Sequence, residues 1–161
     1  KPSSDTPTHL HLYREFEGIG GVVHTHSSYA VSWAQAERDL PCFGTTHADH
    51  FYGPVPVTRR MREEEIREAY EHNTGVVIVE CFRQRGIDPL DVPGVLVAGH
   101  GPFTWGATPR KAVENAIALE ATARMAVYTR LINPDARPID PVLLDKHFLR
   151  KHGAAAYYGQ G

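Results

Sequence analysis

Two short apolar runs, GVVHT at 21–25 and GVLVA at 94–98, both lead into histidine, and this pattern restricts the fold more than any other feature. Short runs rich in β-branched and aliphatic residues that open on glycine read as strands. Neither run approaches the ~18 apolar residues of a membrane span. Helical signals surround them. Asp5 or Thr6 before Pro7 predicts a helix to Phe16, stopped at Gly18, with Leu12, Tyr13 and Phe16 inward. A second helix is expected over 29–38 and a charged one over 61–71, broken at Thr74-Gly75. The run at 76–82 then reads as a buried strand. The strongest helix opens at Thr108-Pro109 and ends before Asn133-Pro134. Its expected inward stripe is Val113, Ala116, Ile117, Ala123, Val127 and Leu131. Strands alternating with helices imply a layered α/β or α+β domain, with strand direction left open.

A length of 161 residues predicts one domain. Seventeen Lys and Arg against 19 Asp and Glu leave a net charge of -2, which supplies no basic field for nucleic acid. Hydrophobic residues make up 42% and charged residues 22%, enough for a core and unlike a disordered tail. The two cysteines, Cys42 and Cys81, form no CxxC pair, so a reducing cytoplasmic setting is expected.

Ten histidines are the one compositional oddity. On a strand, His24 and His26 share a face with Cα atoms roughly 6.6 Å apart, at ~3.3 Å rise per residue. Two imidazoles at that spacing can converge on one cation at Zn–N distances of about 2.0–2.1 Å. His100, between Gly99 and Gly101, ends the second run. If the strands are neighbours, three ring nitrogens and an open position make a catalytic zinc site. Packed, hydrogen-bonded core histidines are the plainer alternative, and an acidic fourth ligand stays open. The cysteines do not fall at the same strand ends.

These blocks carry a family resemblance. PSSDTPTHLHLYREF, GGVVHTHSSYAVSWAQA, GTTHADHFYG, GVLVAGHGPFTWG and LLDKHFLRKHGAAAYYGQ, in that order, resemble the L-ribulose-5-phosphate 4-epimerases of the class II aldolase/adducin family. The HxH and GHG blocks are similar to any class II sugar-phosphate aldolase. THADHFYG and the tail resemble the epimerase branch. The resemblance implies a three-layer α/β/α class II aldolase-like domain with a mostly antiparallel central sheet. It implies a homotetramer of C4 symmetry with active sites shared between subunits. It also implies a further segment before Lys1, so that 1–161 is a single domain incomplete at its N-terminus.

The implied activity interconverts L-ribulose 5-phosphate and D-xylulose 5-phosphate by retro-aldol cleavage of C3–C4 and re-addition of the rotated aldehyde. The implied cofactor is Zn²⁺, or another divalent cation such as Mn²⁺ or Co²⁺, on His24, His26 and His100, with Asp5 as a ligand or base nearby. Asp49 and a neighbouring subunit's Tyr158 are the implied acid/base pair, Ser3 and Ser4 the phosphate binders. Glu71, His147 and Arg150 form a second tier that orients Tyr158 or closes the interface. The partner is a small sugar phosphate, with no nucleic acid and no membrane. The alternatives are a class II aldolase for a related ketose phosphate and a catalytically inactive adducin-like interaction module. Asp49 also reads as a loop Asx turn, Asp5 as a helix cap, and Tyr158 as a packed tail aromatic.

Overall fold

The computed structural model describes residues 2–153 and 156–157. Its strands are β1 (Gly21–His24), β2 (Gly94–Val97) and β3 (Gly101–Gly106). Its helices are α1 (Thr6–Glu15), α2 (Ser28–Gln35), α3 (Thr45–Ala48), α4 (Glu63–Arg85), α5 (Pro109–Ile132) and α6 (Pro141–His152). The strands form one antiparallel sheet in the order β1-β3-β2. Gly99, at φ 69°, turns β2 back into β3, so His100 sits in a hairpin turn.

The central strand β3 is buried along its whole length because both of its faces are covered. Side chains alternate across a strand. Phe103 and Trp105 face α1 and α4, where Trp105 packs 5.0 Å from Phe16 and 5.2 Å from Phe82 between ring centroids. Thr104 faces the other way and donates its hydroxyl to the Ala112 carbonyl of α5 at 3.1 Å. Helices on both sides of an antiparallel sheet make the three-layer α/β/α arrangement. Among the described residues no helix is long and apolar enough to cross a membrane.

The structure differs from the sequence reading at 76–82, where the apolar run belongs to α4 and not to a strand. A short apolar run does not distinguish a buried strand from a buried helix. The ends decide it here. Glu63, Glu64 and Glu65 fill the first turn, Arg83 and Arg85 the last, and Gly86 closes the helix at φ 62°. Thr74-Gly75 does not break α4. Gly75 is the point where α1 crosses it, and a Cβ there would stand 2.9 Å from His11 Cβ.

The α5 stripe also differs: of the residues expected inward, Ala123 is buried and Ala116 and Val127 are half-buried. Val113, Ile117 and Leu131 are exposed, Leu131 at 72%, while Ala112, Asn115, Leu119, Thr122, Ala123 and Ala126 are buried. The helix lies close on the sheet, so its inner face takes small residues and side chains that find partners. Asn115 Nδ2 donates to the Trp105 carbonyl at 2.8 Å, and Thr122 Oγ1 to the Ala118 carbonyl at 2.8 Å. Leu119 also packs there, while Val113, Ile117 and Leu131 are left outside. On α1, Leu12 and Phe16 face inward as expected, but Tyr13 is exposed.

The crossing at Gly75 generates a test. Gly75→Ala gains about 0.8–1 kcal/mol of helix propensity, yet it presses a methyl into His11, and overpacking costs typically about 1–3 kcal/mol. The variant should unfold at lower urea than the parent. A raised midpoint would show that α1 yields at this contact.

Candidate active site

The register of β1 on β3 builds the site. His24 lies opposite Phe103, so its imidazole joins Phe103 on the α1/α4 face and stacks on it at 4.1 Å. Its Nδ1 is 2.9 Å from the Pro102 carbonyl, which assigns the proton to Nδ1 and turns Nε2 outward. His26 lies beyond the end of β1, and its Nε2 is 3.0 Å from His24 Nε2. His100 reaches the same point from the hairpin turn, its ring 4.6 Å from that of His24 and 5.2 Å from that of His26. One ligand nitrogen from each of these three residues lies within 4.8 Å of the others.

The donor set fits a divalent cation. Tetrahedral ligand nitrogens at Zn–N of about 2.0–2.1 Å stand roughly 3.3 Å apart, close to the 3.0 Å between His24 and His26. Burial lowers the pKa of His24, opposed by the Pro102 hydrogen bond and the Asp5 charge. Burial also lowers that of His100, helped by the neighbouring histidines. Both rings are therefore neutral near pH 7, the form that ligates metal.

Asp5 holds the N-cap position of α1 but makes no side-chain cap hydrogen bond. Its charge acts on His9, His24 and His100, which places it beside the cluster, although it is not in the tight group of three. Ser3 does the local turn work. Its carbonyl accepts from Thr6 N–H at 3.2 Å, and its hydroxyl from Asp5 N–H at 3.3 Å. Ser3 and Ser4 are exposed just ahead of α1. Glu71 is half-buried on α4, and its carbonyl accepts from Thr8 Oγ1.

Asp49 is elsewhere. It ends α3, and the chain beyond it packs on the far end of β2. A Cβ at Gly94 would lie 3.3 Å from Phe51, and Tyr52 N–H donates to the Asp91 carbonyl at 2.9 Å. His100 follows Val97 at the other end of that strand. At ~3.3 Å per residue β2 alone separates these two ends by roughly 10 Å.

Around Asp49 the last helix supplies cations. His147 Nδ1 is 3.0 Å from its carboxylate, Arg150 Nη2 3.2 Å and Lys151 Nζ 3.3 Å. Burial pushes the Asp49 carboxyl up, but His147, Lys151 and Arg150 outweigh it and hold it below its ordinary value. Tyr52 stacks on Phe148 at 4.7 Å and fixes α6 in place. Tyr158 lies outside the described residues. Sequence reasoning missed α6 as a helix and Lys151 as a third partner of the carboxylate. Asp140-Pro141 before an apolar i, i+4 pattern was the available signal.

Comparison with known proteins agrees with this architecture. Residues 1–127 match the Class II Aldolase and Adducin N-terminal domain. The chain belongs to the class II aldolase/adducin family. Within the family its sequence lies with the L-ribulose-5-phosphate 4-epimerases. It is 54% identical over 160 residues to UlaF of Salmonella paratyphi A, covering 99% of this chain and 69% of that protein. The figures for UlaF of Salmonella typhi are the same. Among solved structures, an L-fuculose 1-phosphate aldolase aligns with a TM-score of 0.71 at 18% identity, over 91% of this chain and 62% of that one. YgbL of Klebsiella pneumoniae aligns at 0.65 and 26% identity, over 91% of this chain and 65% of its own.

The carboxylate's surroundings set a pH signature. A depressed folded pKa contributes stability that is complete above the unfolded value of about 3.9 and is lost as pH falls through the folded one. Asp49→Asn should therefore lower the urea midpoint at pH 7 and differ little from the parent near pH 2. Zinc content should not change, since the histidines stand at the other end of the sheet. An equal deficit at both pH values, or lost metal, would contradict this placement.

Proposed function

We propose that this chain carries the metal-binding half-site and the acid/base half-site of an L-ribulose-5-phosphate 4-epimerase. The observation that carries the reading is the convergence of His24, His26 and His100 in a chain 54% identical to such enzymes. These three residues would hold one divalent cation, Zn²⁺ being the best fit to three imidazoles. Once bound, the cation supplies positive charge where negative charge develops on the C2 and C3 oxygens during C–C cleavage.

The protein's own groups handle the protons. The carboxylate of Asp49, kept ionised by His147, Lys151 and Arg150, suits a base that removes the C4 hydroxyl proton. The C3–C4 bond then breaks. Because the phosphate is on C5, the fragments are the enediolate of dihydroxyacetone and glycolaldehyde phosphate. The aldehyde turns about, C3 re-adds to its opposite face, and a proton returns to the C4 oxygen from the second acid/base group, Tyr158. C4 is inverted with no net redox change. The exposed hydroxyls of Ser3 and Ser4, at the N-terminal end of α1, suit the phosphate dianion. Asp5 stands ready as a fourth ligand or as a base beside the cation.

The placement of Asp49 and the histidines toward opposite ends of the sheet favours a site built from two copies. The reading therefore includes an oligomer in which the histidine end of one copy meets the α3–α6 end of the next. A cyclic tetramer closes such head-to-tail contacts. The outward stripe of Val113, Ile117, Tyr128 and Leu131 on α5 supports association. A cytoplasmic setting suits the free, buried Cys42 and Cys81, the former with its thiol pushed up to about 11 by burial.

Mixing His26→Asn with Asp49→Asn tests the whole reading. Each variant alone should lose epimerisation of L-ribulose 5-phosphate by about 10²-fold or more. Random mixed rings should recover about a quarter of the parent rate, because that share of neighbouring pairs brings intact histidines to an intact aspartate. No recovery would place both groups in one copy's site. Steady release of glycolaldehyde phosphate in place of xylulose 5-phosphate would make the protein an aldolase.

A further inference from the structure

Beside the histidine cluster, α4 carries a break that the proposed chemistry does not use. Ala69, inside this helix, has φ −153° and ψ 62°, and the helical path restarts at Tyr70. In an unbroken helix the Glu65 carbonyl would accept from Ala69 N–H. Here it accepts from Asn73 Nδ2 at 2.9 Å. On the other side Thr74 Oγ1 donates to the Tyr70 carbonyl at 2.9 Å, and Thr8 of α1 donates its hydroxyl to the Glu71 carbonyl. The Glu65 carbonyl that the break would leave open is thus satisfied by a side chain, which marks the break as a built feature.

Successive helical residues turn by about 100°, so a break immediately before Tyr70 resets where its side chain points. It points at the cluster. Tyr70 Oη lies 3.2 Å from His100 Nδ1, and the two rings are 5.9 Å apart. His24 has the matching partner in the Pro102 carbonyl, at 2.9 Å from its Nδ1. Each of these two histidines therefore has Nδ1 engaged and Nε2 left for a cation. For His24 the partner is backbone. For His100 it is a side chain delivered by an interrupted helix.

We propose that Tyr70 is a positioning residue of the metal centre. Its hydroxyl oxygen accepts the Nδ1 proton of His100, locks the tautomer that leaves Nε2 free, and holds the ring toward His24 and His26. The Ala69 break, held open by Asn73, is what aims it. This inference rests on the metal-centre reading of the three histidines.

The test measures metal binding directly. Zinc affinity is determined by competition with a chromophoric chelator, and Co²⁺ bound in its place reports ligand geometry through its visible d–d bands. Tyr70→Phe keeps the ring and removes only the hydroxyl. It should weaken zinc about 10–100-fold and alter the Co²⁺ bands, with the helical signal of the metal-free protein unchanged. Tyr13→Phe, on the exposed side of α1, should bind as the parent does. Asn73→Ala keeps the hydroxyl but releases the break, and should weaken zinc severalfold in the same direction. Parent-like affinity and Co²⁺ bands in both Tyr70→Phe and Asn73→Ala would overturn the role of Tyr70 while leaving the metal centre intact. A parent protein that binds no metal would remove the metal-centre reading, and this inference with it.

Discussion

The pairing of β1 with β3 in the register that sets His24 against Phe103 is the contact on which the rest depends. A strand's side chains alternate, so this register decides which layer receives His24. A slip by one residue would send it to the α5 side and bring Val23 to the α1/α4 side. The stack of His24 on Phe103 and the hydrogen bond to the Pro102 carbonyl both follow from the same register. His100 is then brought in by the tight turn joining β2 to β3, and α1 and α4 close over the cluster with Asp5 and Tyr70. A divalent site here is a product of strand pairing first and of helix packing second.

The sheet also keeps two kinds of charge apart. At one end stand the imidazoles that suit a cation. At the other, His147, Arg150 and Lys151 gather on Asp49 and keep it ionised. Were the two groups adjacent in one copy, the cations of α6 would oppose metal binding. Placing them at opposite ends of the sheet lets each group form independently.

The two misread elements share a cause. The run at 76–82 is β-branched and apolar, the usual composition of a strand, yet its flanks are an acidic first turn and a left-handed glycine stop, and α1 and the sheet bury it as a helix. On α5, spacing by three and four residues occurs on more than one face. The face that packs is the one with alanines, Leu119, and Asn115 and Thr122, whose Nδ2 and hydroxyl donate to carbonyls, because the helix lies against the sheet. Packing distance, which no periodicity encodes, chose between the faces.

By itself the sequence determined the chemistry on offer: an HxH pair on a β-branched run, a histidine between glycines after a second run, and blocks whose order resembles one family. Those signals are local, since they depend on spacing along a strand and on the residue types a turn accepts. The tertiary structure alone decided where that chemistry stands. It placed Asp49 at the opposite end of the sheet from the histidines and left Asp5 without a capping role. It also turned Tyr70 onto His100 through a break at Ala69. Each of these depends on contacts between elements far apart in the chain, which form only when the β1–β3–β2 sheet and its two helical layers are packed.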